Sequence, residues 1–148
     1  MKDKTLDVVE TYIREHGESQ LLEVLATKRD DDVLTIVANA GVHPYHALHK
    51  RGVVFEASEG TLDFSSSAAA ITSIEAVLLR TAKKLKEKRW RRVYLVPFGP
   101  APLSLQIKSL VHKILDVETI DVLHLGNGAH VDIDFNPRSI ATKVKGEL

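Results

Sequence analysis

The chain contains no cysteine, which excludes disulfides and thiolate zinc sites. It carries no net charge: twenty Lys and Arg offset twenty Asp and Glu. Binders of polymeric nucleic acid are more often basic overall, so no such partner is expected. No apolar run reaches the ~18 residues of a membrane span, and none opens the chain. The expectation is a soluble, cytoplasmic protein without membrane contact. Neither a GxGxxG fingerprint nor a P-loop lysine-serine pair occurs, which argues against a dinucleotide or ATP site; no cofactor is expected. Internal repeats and low-complexity tracts are absent as well.

What is present suits one globular domain over 1–148, at 44% apolar and 27% charged residues. Residues 3–27 read as helix, with Leu6, Val9 and Ile13 on one face and an interruption at "HGES" (16–19). Residues 1–30 form an N-terminal helical segment, 31–136 an α/β core and 137–148 a loosely ordered tail. "KRDDD" (28–32) reads as a charged linker. "VLTIVANA" (33–40) is a nearly continuous apolar, β-branched run, as in a strand buried on both faces of a mainly parallel sheet. "VVFEA" (53–57) is a second strand, with "TLDF" (61–64) as a possible hairpin mate. Residues 65–90 read as helix, "RVYLVPF" (92–98) as strand, and the segment after "GPAP" (99–102) as a helix led by Leu103, Ile107 and Val111. "IDVLHL" (120–125) and "HVDIDF" (130–135) flank a "GNGA" turn. The alternation predicts a Rossmann-like, mainly parallel sheet flanked by helices, with a C-terminal antiparallel hairpin.

In such sheets ligands bind beyond the carboxyl ends of the strands. Two loops qualify. The first runs from Asn39 and Gly41 into "GVHPYHALHKR" (41–51), which holds three of the seven histidines. The second is Phe98-Gly99-Pro100-Ala101 with the helix start through Ser104. There Gly99 permits close backbone approach, and free N–H groups can receive a phosphate. Ser65, Ser66 and Ser67 offer either helix caps or another anion-binding N-terminus.

The stretch "RRVYLVPFGPAPLSLQIKSLVHKI" (91–114) resembles the most recognisable part of SAVED domains: a strand, a Gly-Pro-Ala turn, then an apolar helix. The upstream helix ending in "KRW" and the strand "DVLHL" fit the same pattern, so the resemblance spans roughly residues 65 to 125. It implies a CARF-like fold and the sensing of cyclic oligonucleotides in antiviral (CRISPR- or CBASS-type) signalling. Pro97 through Ala101 and the helix start after them carry over as ligand-side positions. SAVED domains are usually about twice this long, with two CARF-like halves, and are usually fused to an effector. A lone half implies a homodimer, and a two-fold dimer suits a two-fold-symmetric cyclic oligoadenylate.

Stand-alone CARF-like units that destroy such messengers are ring nucleases, acting without metal through attack of a ribose 2′-hydroxyl on its phosphate. Histidine suits proton transfer near neutral pH, and Lys or Arg suits phosphate oxygens. His43, His46 and His49 are the candidate acids and bases, Lys50 and Arg51 the phosphate holders, and Tyr45 an adenine-stacking group. Other readings stay open. A second reading has the histidines simply capping a turn or a short helix. A metal site is disfavoured, because His49 leaves the helical face of His43 and His46 and no glutamate lies between. His124 and His130 read as hairpin surface, Asp132 and Asp134 as a solvated edge face, and "KKLKEKRWRR" (83–92) as a solvated helix end with Trp90 covering apolar surface. A non-catalytic sensor subunit or sponge, and a protein-interaction module without nucleotide, are the alternative functions.

Overall fold

The computed structural model describes residues 4–41 and 51–146, with the backbone alone for 26–30. Five strands, β1 (Val33–Val37), β2 (Val53–Glu56), β3 (Arg92–Val96), β4 (Ile120–Gly126) and β5 (Ala129–Ile133), form one sheet in the order β2-β1-β3-β4-β5. The first four strands are parallel and β5 returns antiparallel along β4. The α/β class, the mainly parallel sheet and the terminal hairpin all follow the sequence pattern.

Helices α1 (Lys4–His16) and α2 (Glu18–Asp31) precede the sheet, with Gly17 at φ +88° between them. The charged stretch read as a linker is therefore mostly the last turns of α2, since neither glycine nor proline interrupts it. Helix α1 buries none of its side chains.

Helices α3 (Ser67–Leu85) and α4 (Ala101–Leu115) pack on the same face of the sheet. Leu34 and Ile36 of β1 and Val93 and Leu95 of β3 meet Val77 and Leu85 of α3 and Leu103, Ile107 and Val111 of α4 there. Val33, Val37, Tyr94, Val96, Ile120 and Val122 alternate onto the opposite face and form a second cluster with Val54 and Phe98. Handedness explains the layering. The β2→β3 and β3→β4 crossovers both advance towards β5 and, being right-handed, share a face.

Helix α3 is shorter than its apolar stripe suggests. Ser66 caps it, its Oγ accepting from Ala69 N–H at 3.1 Å, a contact of about 1 kcal/mol. Ser65 donates to Asp63, whose carboxyl is held below its ordinary range by that hydroxyl and the Ser65 N–H. The contribution of this turn is present at neutral pH and fades as the pH falls through that lowered range. After Leu85 the chain turns, and Trp90 is buried with its indole N–H on Lys84 O, covering apolar surface as expected.

Two further expectations fail. Residues 61–64 form no strand: Ala40 N–H bonds Ser58 O and Gly60 N–H bonds Ala40 O, so the chain makes one parallel bridge at Glu59 and then leaves the sheet. The tail holds a helix, α5 (Arg138–Lys145), anchored where Arg138 meets Asp116 at 3.0 Å. Its Ile140 and Val144 lie on one side, a short amphipathic pattern too brief to stand out in the sequence. No helix of the described residues is long and apolar enough to cross a membrane.

Candidate functional site

The strand order reverses between β1 and β3, the position where open α/β sheets leave a crevice beyond their carboxyl ends. The loops after these two strands are in contact. Gly99 has φ +88°, and a Cβ placed on it would lie 2.7 Å from Asn39 Cβ, so only glycine fits. Asn39 is buried and held at both amide atoms: its Nδ2 donates to Gly60 O at 2.9 Å, and its Oδ1 lies 3.1 Å from Ser58 Oγ. Ser58 Oγ also lies 2.6 Å from Ala38 O. Gly41 packs beside Glu59 with φ +84°. Asn39 and Gly41 thus fix the shape of the edge, while Gly99 opens the backbone at it.

Beside Gly99, between α4 and β4, lies a recess of about 270 Å³ with Leu95 at its floor and Pro97 and Ala101 at its rim. Pro100 precedes α4 without a side-chain cap, and the N–H groups of Leu103 and Ser104 both turn back to Pro100 O. Ala101 N–H, in the first turn, has no intrahelical acceptor. Ser104 is 7% exposed, and its Oγ is buried without a hydrogen-bond partner among the described residues. One turn further, Lys108 Nζ bonds Thr119 Oγ1 at 2.8 Å and Asp121 Oδ2 at 2.9 Å. The recess therefore combines an apolar floor, backbone and hydroxyl donors, and the Lys108–Asp121 ion pair in its wall. That set suits a flat base next to a phosphate or ribose.

Among the predicted site residues, Asn39, Gly41, Phe98, Gly99, Pro100, Ala101 and Ser104 meet at this one edge. Ser65, Ser66 and Ser67 reach the same edge at the start of α3, but the Ser65 and Ser66 hydroxyls serve the local turn and cap. His43, Tyr45, His46, His49 and Lys50 lie outside the described residues.

Arg51 is described, and it sits under the sheet rather than at the crevice. Its backbone is held by Thr35, whose Oγ1 donates to Arg51 O at 2.6 Å and accepts from Arg51 N–H at 3.1 Å. The guanidinium crosses Tyr94 at 3.8 Å from the ring centroid and forms a two-pronged pair with Asp132 on β5. That bond holds its pKa above the usual arginine value. Asp132 is accordingly more than a solvated edge residue. His124 and His130 likewise belong to this face: they oppose each other across β4 and β5, and His124 stacks on Phe98 at 5.1 Å.

Sequence reasoning missed Lys108, Thr119 and Asp121. A faint signal existed: Ser104 and Lys108 interrupt, four apart, a helix otherwise read by its apolar stripe. The Arg51–Asp132 pair spans 81 positions and left no local signal. No family model matches the chain, and neither a curated protein nor a solved structure matches it.

Proposed function

We propose that this chain binds a cyclic oligoadenylate messenger of antiviral signalling at the carboxyl edge of β1 and β3, and cleaves it without metal. The observation that carries the binding half is the buried, unpartnered Ser104 hydroxyl in the recess where α4 begins. A buried hydroxyl without a partner costs about 1–3 kcal/mol, which a ligand that bonds it relieves. The CARF-like resemblance supplies the class of ligand.

The cleaving half rests on the sequence "HPYHALHK" that follows Gly41. A histidine of this stretch takes the proton of a ribose 2′-hydroxyl as its oxygen bonds to the adjacent phosphorus. The bond from phosphorus to the neighbouring 5′-oxygen breaks, a second histidine protonates that oxygen, and a linear product ending in a 2′,3′-cyclic phosphate is left. Lys50 holds phosphate; Arg51, committed to Asp132, is not part of this set.

The test is incubation with a panel of cyclic oligoadenylates in EDTA, read by liquid chromatography and mass spectrometry. Linear 2′,3′-cyclic phosphate products that disappear in His43→Ala or His46→Ala, with binding retained, are expected. Intact rings that co-elute with the protein would make it a sensor or sponge instead. Neither binding nor cleavage would sink the nucleotide reading and favour a protein-interaction module. Ser104→Ala separates site from scaffold. We expect unchanged or slightly higher stability, by up to about 1 kcal/mol, together with roughly tenfold weaker ring binding in calorimetry.

A further inference from the structure

Helices α3 and α4 each join strands that run parallel, so both point the same way and their carboxyl ends meet at the amino edge of the sheet, away from the recess. Between them lies a groove of about 570 Å³. Ile71, Ile74, Leu78, Leu79 and Ala82 of α3 line it with Leu110 of α4. Ile71, Leu79 and Ala82 stand about a quarter-turn from Val77, Thr81 and Leu85, which fill the core. Ile71 and Leu79 are each 61% exposed, on a helix face that is ordinarily polar.

Charged groups give this groove a direction. Lys83 follows Leu79 by one turn, Lys86 follows Ala82 by one turn, and Lys113 follows Leu110 by three residues, so all three belong to one end. Lys84 is taken up by Glu87 at 2.9 Å, whereas Lys83, Lys86 and Lys113 have no ion-pair partner among the described residues. Glu75 stands on the rim towards the other end, one turn after Ile71.

We propose that the groove binds a free long-chain fatty acid, with its carboxylate among the three lysines and its methyl end towards Ile71. Packed helices lie about 8–10 Å apart, so the furrow between them admits one polymethylene chain; a third helix, about 10–12 Å across, would rest on the rims. From Ile71 to Lys86 the chain rises roughly 22 Å, close to the extended length of palmitate. The lysines attract the carboxylate and Glu75 repels it, which leaves one favourable orientation. An apolar concavity with a few polar groups that set orientation is the usual form of a small-molecule site. Leu123, Val131 and Ile133 of the terminal hairpin are exposed as well, on the face where Asp121 meets Lys108, but two strands alone give an open face and not a furrow. The groove shares no lining residue with the recess at Gly99, so it stands whether or not that recess takes a nucleotide.

The test is calorimetric titration of the whole chain with palmitate below its aggregation threshold. We expect one palmitate per chain with a micromolar Kd, weakening about two- to fourfold for each methylene removed, the upper figure being full burial. Leu79→Asp, at a largely exposed position, should weaken binding roughly tenfold or more and leave the melting curve in place. Lys86→Glu combined with Lys113→Glu should lose palmitate and gain hexadecyltrimethylammonium, which the parent should bind poorly. No palmitate binding, binding indifferent to Leu79→Asp, or equal affinity of the parent for the two amphiphiles overturns the proposal. Flotation with phosphatidylserine-containing vesicles without uptake of the free acid would assign the groove to a membrane surface. A dimer in light scattering that Leu79→Asp dissolves, again without palmitate uptake, would assign it to a second copy. Either result overturns the proposal as well.

Discussion

Replacing Gly99 with alanine should cost about 3 kcal/mol or more, the largest loss expected from any methyl-sized change in this chain. Two separate effects add. At φ +88° an L-residue pays about 1–2 kcal/mol that glycine does not. The new Cβ would also stand 2.7 Å from Asn39 Cβ, well inside van der Waals contact, and that carbon is the rigid base of a buried side chain. Asn39 cannot swing aside without breaking its bonds to Gly60 and Ser58, which hold the loops after β1 and β2 together. Urea unfolding should show a lower midpoint at constant slope. Asn39→Ala keeps the obstructing Cβ and should not rescue Gly99→Ala; Asn39→Gly removes it and should recover part of the steric loss. A Gly99→Ala protein as stable as the parent would mean that the two strand ends do not touch as described.

The second large effect is expected at Thr35. Valine has the same shape, yet Thr35→Val should lose about 2–3 kcal/mol. The Thr35 hydroxyl supplies partners for both the N–H and the C=O of Arg51, ahead of the first β1–β2 register pair at Leu34 and Val53. Removing it orphans two backbone groups in partly buried surroundings, at about 1–3 kcal/mol each, softened where water can reach them. Thr35→Ser retains the hydroxyl and gives up only a methyl, so its loss should stay near 1 kcal/mol. Equal losses for serine and valine in denaturant unfolding would show that packing, not the hydroxyl, is what Thr35 contributes.

These two sites show what local sequence holds and what it does not. The strands at 33–37 and 92–96 were legible because both faces are buried from Val33 to Val37 and from Val93 to Val96, which leaves nearly continuous apolar runs. The edge at Asn39 and Gly99 was legible because strand ends bounded by glycine mark where loops begin. The Gly99–Asn39 contact itself was not, since it arises from the pairing of β1 with β3, whose partnered residues lie 59 positions apart. Thr35 looked like one more β-branched residue in a buried strand, and nothing nearby reveals that its hydroxyl holds Arg51. Arg51 read as a phosphate ligand because it adjoins the histidines, whereas the topology carries it under the sheet to Asp132. The apolar face of β4 and β5 was half visible in the alternation of "HVDIDF". Which face α3 and α4 would leave uncovered depended on crossover handedness.

The reach of Arg51 has a consequence for how the molecule breathes. Strands β3 and β4 share only the register pairs Tyr94–Ile120 and Leu95–Asp121, a short seam compared with the five pairs between β1 and β3. The terminal hairpin is therefore bound strongly within itself and weakly to the parent sheet, the makings of a unit that swings out before the rest unfolds. Arg51 spans that seam like a clasp, fastened at one end through Thr35 to the central strand and at the other to the last one. Opening the hairpin must unfasten it. The stability of residues 120–133 is thus linked to the placement of Arg51 ahead of β2, although 81 positions separate the two ends of the clasp.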